Sequence, residues 1–307
     1  MGLNRFSRED LSAILKGRVN SRREDPDDYA RNLKEYSEGS FQRFFFTLDL
    51  IKKHYLKNKG RILEIGSFPF FFTAALLTLS DDEIIGTVVP ESIWPGEPYD
   101  IAKKTVKISA GARQFDFDCW TLNAEKDPLP FENSSFDLVI CAEVLEHLIH
   151  APAYMVCEIS RVLKDDGLLI LTTPNGLYWH HLYRLAVFGA WEQYSRYGVY
   201  GRHNKLWIQN EVEGLLEGNN FRVVESICND SKTEKIEFTS KYKLTPVSLI
   251  QDLILVISLV LVNIPLPFLS KKKSDQVYVV AKKAGEPKNY CPKYLYSKFK
   301  PSYNIER

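Results

Sequence analysis

FDLVICAEVLEHLIHAPAYMVCEISRVLKDDGLLILTTPN, residues Phe136 to Asn175, decides the fold. Phe136–Ala142 is a short apolar run bounded by polar residues, the pattern of a strand buried on both faces of a parallel sheet. Pro152 suits a helix first turn, and Met155, Ile159, Val162 and Leu163 follow at helical spacing. Asp165-Asp166-Gly167 is expected to end that helix, with Gly167 left-handed. Leu168–Thr172 then reads as a second buried strand that Pro174 stops. Together these make one βαβ unit with a crossover of ordinary length.

Between the first strand and the helix lies Glu143-Val-Leu-Glu146-His147. As a helical turn it puts Glu143, Glu146 and His147 on one face, since residues three and four apart are neighbours there. The turn falls beyond the carboxyl end of a parallel strand, where open α/β sheets bind ligands. The plainer alternative is that the glutamates suit a helix N-terminus and His147 is an exposed polar residue.

The rest of the chain sets bounds. Its 307 residues can bury a full core as one elaborated domain. A net charge of +1 exerts no global pull toward nucleic acid. Cys119, Cys141, Cys157, Cys228 and Cys291 show no CxxC pair and no zinc spacing, which fits reduced thiols in a cytoplasmic protein. Residues 1–40 are predominantly polar and charged, unlike a signal peptide.

Taken in order, residues 1–58 read as a helical extension, with a small apolar stripe at Leu11, Ile14 and Leu15. One longer amphipathic segment follows from Tyr29 to Leu56, packed on the sheet through Phe44–Phe46, Leu48, Leu50 and Ile51. Arg61–Gly66 (RILEIG) is the first buried strand and contains Glu64, which needs a partner there. Phe70–Leu79 is a helix apolar nearly all round, and Glu83–Val89 a second strand. Residues 90–113 are too rich in Pro and Gly for a clean helix and read as a connector. Phe115–Leu122 is the third strand and leads to Asn123-Ala124-Glu125.

The order ILEIG, LNAEKDPLPF, SFDLVICAEVLEHL, EISRVLKDDGLLILTTPN resembles the class I S-adenosylmethionine-dependent methyltransferases. The resemblance covers roughly Arg61 to Asn175. It recurs weakly at Phe221–Cys228 and Gln276–Lys282, which implies a Rossmann-like, seven-stranded, mostly parallel α/β sheet whose last strand is antiparallel, with helices on both faces. The branch it resembles most is that of glycan and polysaccharide biosynthesis. That branch is similar again at Tyr200-Gly-Arg-His203-Asn204, followed by a helix at Glu211–Glu217.

Two departures stand out. The family's E/D-x-G-x-G-x-G loop runs here Glu64-Ile-Gly66-Ser67-Phe68-Pro69-Phe70. The acidic residue that ends the family's second strand is replaced by Val88-Val89-Pro90, leaving Glu91 as the nearby carboxylate. Either the cofactor sits differently or the site is degenerate. Carried over by position, the resemblance implies that Glu64, Gly66 and Ser67 meet the methionine part of S-adenosylmethionine. It places Asn123, Ala124 and Glu125 beside the adenine, Glu91 near the ribose, and Cys141 to Glu143 on the sulfonium side. Methyl transfer mainly needs alignment of nucleophile, methyl and sulfur, so the protein's remaining task is deprotonating the acceptor.

His147, His150 and His203 are the candidates for that task, with Glu146 beside them; His54, His180 and His181 read as structural. Glu143, Glu146, His147 and His203 also resemble the divalent-metal set of small-RNA 2′-O-methyltransferases, and EVLEH occurs in ubiquinone-pathway O-methyltransferases. Such a set implies Mg²⁺ or Mn²⁺ bound to the acceptor oxygen, lowering its pKa.

Leu177–Asn210 is an aromatic-rich insertion on the acceptor side, suited to a sugar ring or lipid or simply to its own packing. Leu244–Leu269 is apolar and followed by Lys271-Lys272-Lys273, but Gln251, Asp252, Asn263, Pro265 and Pro267 interrupt it. From Ser270 to Arg307 ten Lys/Arg face three Asp/Glu, a net +7. This favours an element resting peripherally on an anionic membrane surface, with a homodimer interface as the alternative.

The expected organisation is therefore an extension (1–58), a methyltransferase core (59–243, insertion 177–210), an apolar insertion (244–273), a closing strand (274–283) and a basic tail (284–307). The expected function is O-methylation of a sugar, glycan or lipid-linked small-molecule intermediate. The rivals are a non-catalytic scaffold of the same fold and a metal-assisted RNA methyltransferase, which the balanced charge disfavours.

Overall fold

The computed structural model describes residues 6–20, 27–56, 59–89, 99–149, 152–178, 181, 203–230, 249–250, 253–254, 257 and 274–288. Glu91, His150, His180 and most of the 177–210 and 244–273 segments lie outside the described residues.

Three helices, α1 (Arg8–Asn20), α2 (Asp27–Gly39) and α3 (Phe41–His54), precede the first strand. The amphipathic stretch expected as one segment is thus two helices, with Ser40 between them. Then follow β1 (Arg61–Ile65), α4 (Phe71–Leu79), β2 (Glu83–Val88), β3 (Ala102–Ala110), β4 (Arg113–Thr121) and β5 (Phe136–Ala142). The chain continues with α5 (Pro152–Val162), β6 (Leu163–Pro174), α6 (Gln209–Gly218), β7 (Phe221–Asn229) and β8 (Gln276–Lys283).

Among the described residues the strands form one eight-stranded sheet in the order β3-β4-β2-β1-β5-β6-β8-β7. β4, β2, β1, β5 and β6 run parallel, and β8 is antiparallel to both of its neighbours. The mostly parallel sheet with its last strand reversed is as expected, but seven strands is one too few. β3 is the addition, in the stretch expected to be a connector. Val106, Ile108 and Ala110 alternate inward while Lys103, Thr105 and Lys107 stay exposed, a strand of period two. Gly111, at φ +65°, opens a two-residue loop that pairs Ala110 with Arg113 and folds β3 back on β4.

A second difference concerns residues 163–167. Leu163 already pairs with Phe136, and the register then shifts so that Leu138 meets Leu168. β6 therefore begins directly after α5, and Asp166 (φ +59°), rather than Gly167, takes the left-handed conformation. Gly167 serves close packing instead: a Cβ there would lie 2.8 Å from the Lys164 carbonyl oxygen.

Two apolar layers flank the sheet. Leu11, Leu48, Ile51, Phe71 and Leu76 pack with Ile62, Leu138, Ile140 and Ile170 on one face. On the other, Met155, Val156, Ile159, Val212 and Leu216 pack with Leu63, Val139, Cys141, Leu169 and Leu171. α1, α3 and α4 thus cover one face, and α5 and α6 the other. Chain direction reverses around β1, whose neighbours β2 and β5 carry the chain to opposite sides. The crevice at the carboxyl ends of β1 and β5 is the place where such sheets bind ligands.

Candidate active site

At the end of β1, Glu64 is buried on the α4 face and accepts a hydrogen bond from Thr73 Oγ1 at 2.6 Å. Burial pushes its carboxyl up to about 7, with Thr73 and Ser67 pulling the other way. Its partner is thus a hydroxyl and not a cation. The chain then turns at Gly66 (φ +76°), where a Cβ would lie 2.4 Å from Val144 Cγ2. Ser67 N–H donates to the Thr87 carbonyl and its hydroxyl to the Glu64 carbonyl, so the turn is tied to β2 and to itself. Phe70 stands where the family's last loop glycine would be. It keeps the left-handed backbone (φ +68°) that such a glycine would supply, uncommon for a side chain of this bulk.

Beyond β4, Asn123 Oδ1 accepts from Glu125 N–H at 3.0 Å, and Asp127 Oδ2 accepts from Asn123 N–H at 2.7 Å. Glu125 Oε1 accepts from Ile149 N–H at 2.6 Å, joining this loop to the one after β5. Asn123 and Glu125 are both buried, and Ala124 is half-buried beside the α5 layer. Cys141 is fully buried with Sγ 4.0 Å from Met155 Sδ, and burial pushes its thiol well up. Its side chain belongs to the core, so only its backbone can line a ligand.

The stretch from Glu143 to His147 departs most from expectation. Glu143 is left-handed (φ +57°), and Leu145–His147 is a single 3₁₀ turn, so no helix gathers the two glutamates on one face. Glu143 turns toward α3. Its Oε2 lies 2.9 Å from Arg43 Nη1 and accepts from Gln276 Nε2 at 3.2 Å, and its Oε1 accepts from Thr172 Oγ1 at 2.9 Å. Glu146 turns to the other face, where Thr173 Oγ1 donates to Oε2 at 3.0 Å.

Glu146 is fully buried and its Oε1 has no hydrogen-bond partner among the described residues. His147 Nε2 is 3.8 Å from that oxygen, and the His147 and His203 rings meet edge to face at 5.0 Å. One ligand atom from each of Glu146, His147 and His203 lies within 4.8 Å of the others. Burial, then the Glu143 charge, raise the Glu146 carboxyl to about 8, while His203 lowers it. The four-residue metal set is thus corrected to three, because Glu143 is committed to Arg43, Thr172 and Gln276.

The 203–207 segment is held against this turn. Asn204 N–H donates to the Glu146 carbonyl at 2.7 Å and Asn204 Nδ2 to the His147 carbonyl at 2.8 Å, while Trp207 Nε1 reaches the Leu145 carbonyl at 3.3 Å. Of the structural histidines, His54 pairs with Glu225 at 2.5 Å and His181 Nδ1 lies 3.1 Å from the Asn175 carbonyl. Sequence reasoning missed Arg43, Thr172, Thr173, Asn204 and Gln276. The available signals were an arginine amid the apolar FQRFFF run and two threonines ending a buried strand.

Residues 98–171, from before β3 into β6, match the family model described as a methyltransferase domain. Among curated proteins, an uncharacterised protein of Methanocaldococcus jannaschii is 47% identical over 47 residues, 15% of this chain and 20% of that protein. The ubiquinone biosynthesis O-methyltransferase of Idiomarina loihiensis is 31% identical over 81 residues, 25% of this chain and 32% of the enzyme. The chain thus spans a third or less of the length of these relatives. Among solved structures, a SAM-dependent methyltransferase from Archaeoglobus fulgidus superposes with a TM-score of 0.47 at 16% identity, covering 81% of this chain and 98% of that one. Phosphoethanolamine N-methyltransferase 2 of Haemonchus contortus does so at 0.44 and 15% identity, covering 78% and 53%.

Proposed function

We propose that the chain is an S-adenosylmethionine-dependent methyltransferase that methylates an oxygen of a sugar, glycan or lipid-linked intermediate. The observation that carries the cofactor assignment is Glu64: a buried carboxylate at the β1–β5 crevice, bonded to a hydroxyl, beside a glycine turn. A carboxylate so placed is complementary to the α-ammonium of the cofactor, and the residues present fit that group. Gly66 and Ser67 continue the same wall, and the Asn123–Glu125 loop forms the side expected to meet adenine. When bound, the cofactor supplies an electrophilic methyl group. The chain's own part is to align the acceptor and take its proton, which falls to His147 or His203 with Glu146 behind them. The sugar or glycan acceptor rests on the family branch resembled and on the aromatic residues of the 177–210 segment.

Titration calorimetry of the full chain with S-adenosylmethionine and S-adenosylhomocysteine tests the cofactor assignment. A dissociation constant on the order of 1–100 μM is expected. No heat at millimolar ligand would favour the non-catalytic scaffold instead.

A metal-assisted variant is favoured by one observation, the unpartnered Oε1 of buried Glu146 beside two imidazoles. Two nitrogens and one oxygen suit Mn²⁺ or Zn²⁺ better than Mg²⁺, which prefers oxygen ligands. An ion there would lower the acceptor hydroxyl's pKa.

The membrane-facing role is carried by Leu249, Ile250, Leu253 and Ile257. All four are helical and each is about half exposed. No helix among the described residues is long and apolar enough to cross a membrane. Shallow seating on an anionic leaflet, helped by the basic tail, is the arrangement these residues support.

A further inference from the structure

Arg43 lies in α3, well before the stretch that matches a methyltransferase domain. Its Nη1 is 2.9 Å from Glu143 Oε2, and its Nη2 donates to Ser40 Oγ at 3.0 Å and to Tyr36 Oη at 3.3 Å. Glu143 is held in turn by Thr172 and Gln276, and its own N–H donates to the Thr172 carbonyl at 3.0 Å. The arginine and glutamate side chains are only 12% and 15% exposed, so their charges act on neighbours with little screening. Burial alone would lower the Arg43 guanidinium, but Glu143 and its neighbours more than offset this and raise it. The pair is a guanidinium facing a carboxylate across 2.9 Å.

We propose that Arg43 is a positioning residue that sets the charge of the cofactor site. By neutralising Glu143 it limits how strongly the site distinguishes the sulfonium cofactor from its neutral thioether product. The proposal rests on the methyltransferase reading above, in which Glu143 lines the sulfonium side. With the pair intact that wall carries no net charge. Without Arg43 a poorly solvated carboxylate remains, which attracts a sulfonium and ignores a thioether. Without Glu143 a poorly solvated guanidinium remains, which repels the sulfonium. α3 is then a working part of the site as well as a cover for the sheet.

The test is calorimetry on the full chain with S-adenosylmethionine and S-adenosylhomocysteine, reading the ratio of the two affinities. Arg43→Met should shift that ratio toward S-adenosylmethionine about tenfold, and Glu143→Gln should shift it the other way by a similar factor. Arg43→Lys should leave it unmoved, and the Arg43→Met/Glu143→Gln double variant should return it to the wild-type value. A merely structural role would weaken both ligands alike and keep the ratio constant. A constant ratio across the charge variants, with wild type binding both ligands, overturns the proposal alone; wild type binding neither overturns the methyltransferase reading and this proposal with it. Should Arg43→Met fail to fold by thermal unfolding, Glu143→Gln must still lower the ratio.

Discussion

Thr172 and Thr173 are consecutive in β6, and their hydroxyls bond two different glutamates, Glu143 at 2.9 Å and Glu146 at 3.0 Å. Alternation along a strand sends the two threonines to opposite faces of the sheet. The carboxylates are thereby sorted, one to the arginine of α3 and the other to the two histidines. Ion binding should follow that sorting. Titrating the chain with MnCl₂ or ZnCl₂ should give heat that Glu146→Gln, His147→Ala and His203→Ala each reduce at least about tenfold, as loss of one ligand of three implies. Glu143→Gln should bind like wild type. An equal loss in Glu143→Gln would return that residue to the ligand set.

Glu64 makes the chain's stability depend on pH in a stated direction. Its folded pKa, about 7, is above the ordinary 4.5. The folded state keeps the proton where the unfolded state has already lost it. The contribution is full below pH 4.5 and is lost as pH rises through 7, on the order of 3 kcal/mol in all. Thermal unfolding at pH 5 and pH 8 should show this decline in wild type and less of it in Glu64→Gln. Affinity for S-adenosylhomocysteine should rise over the same interval as the carboxylate ionises, and Glu64→Gln should flatten that rise. A wild-type chain with no pH dependence removed by Glu64→Gln would contradict both.

Gly66 should not tolerate a side chain. The positive φ and the 2.4 Å approach of Val144 both oppose a Cβ, so Gly66→Val should lower stability as well as abolish cofactor binding. The backbone term alone is about 1–3 kcal/mol. The paired variant Gly66→Ala/Val144→Ala should recover part of the loss, since it removes the methyl in the way. Unfolding midpoints of the three proteins check this, and no recovery would place the clash elsewhere.

Vesicle flotation tests the apolar stripe. Binding should increase with phosphatidylserine content and fall with added salt, since each basic residue near an anionic surface adds about 1 kcal/mol. Leu253→Glu/Ile257→Glu should release the protein while leaving its unfolding midpoint near wild type, because both side chains are already exposed. Indifference to lipid charge, together with a dimer that the double variant dissociates, would identify the stripe as a contact between copies.

The sequence disclosed the parallel core because buried strands such as RILEI and FDLVICA are written in continuous apolar residues. β3 escaped because its signal is only half apolar: Val106, Ile108 and Ala110 alternate among lysines, next to a Pro- and Gly-rich stretch. At the site, residue types and neighbourhoods were legible, and Glu146, His147 and His203 do converge. The placement of Glu143 was not. Spacing rules assume one regular helix, whereas a single left-handed residue redirects the side chain, and the arginine that receives it comes from a hundred positions earlier in the chain.

The sheet's extra strand bears on how copies of this protein meet. Among the described residues β3 is an outer strand, and an outer strand's unpaired backbone groups template pairing with other exposed strands. Lys103, Lys104 and Lys107 stand exposed along it. The opposite outer strand, β7, is kinked where its register shifts between Val223 and Glu225, and it carries charge at Arg222 and Glu225. Lysines on one border and a bulge on the other discourage sheets from joining edge to edge. Self-association of this chain should therefore proceed through side-chain surfaces, and its concentrated solutions should resist fibrous aggregation until those lysines are neutralised.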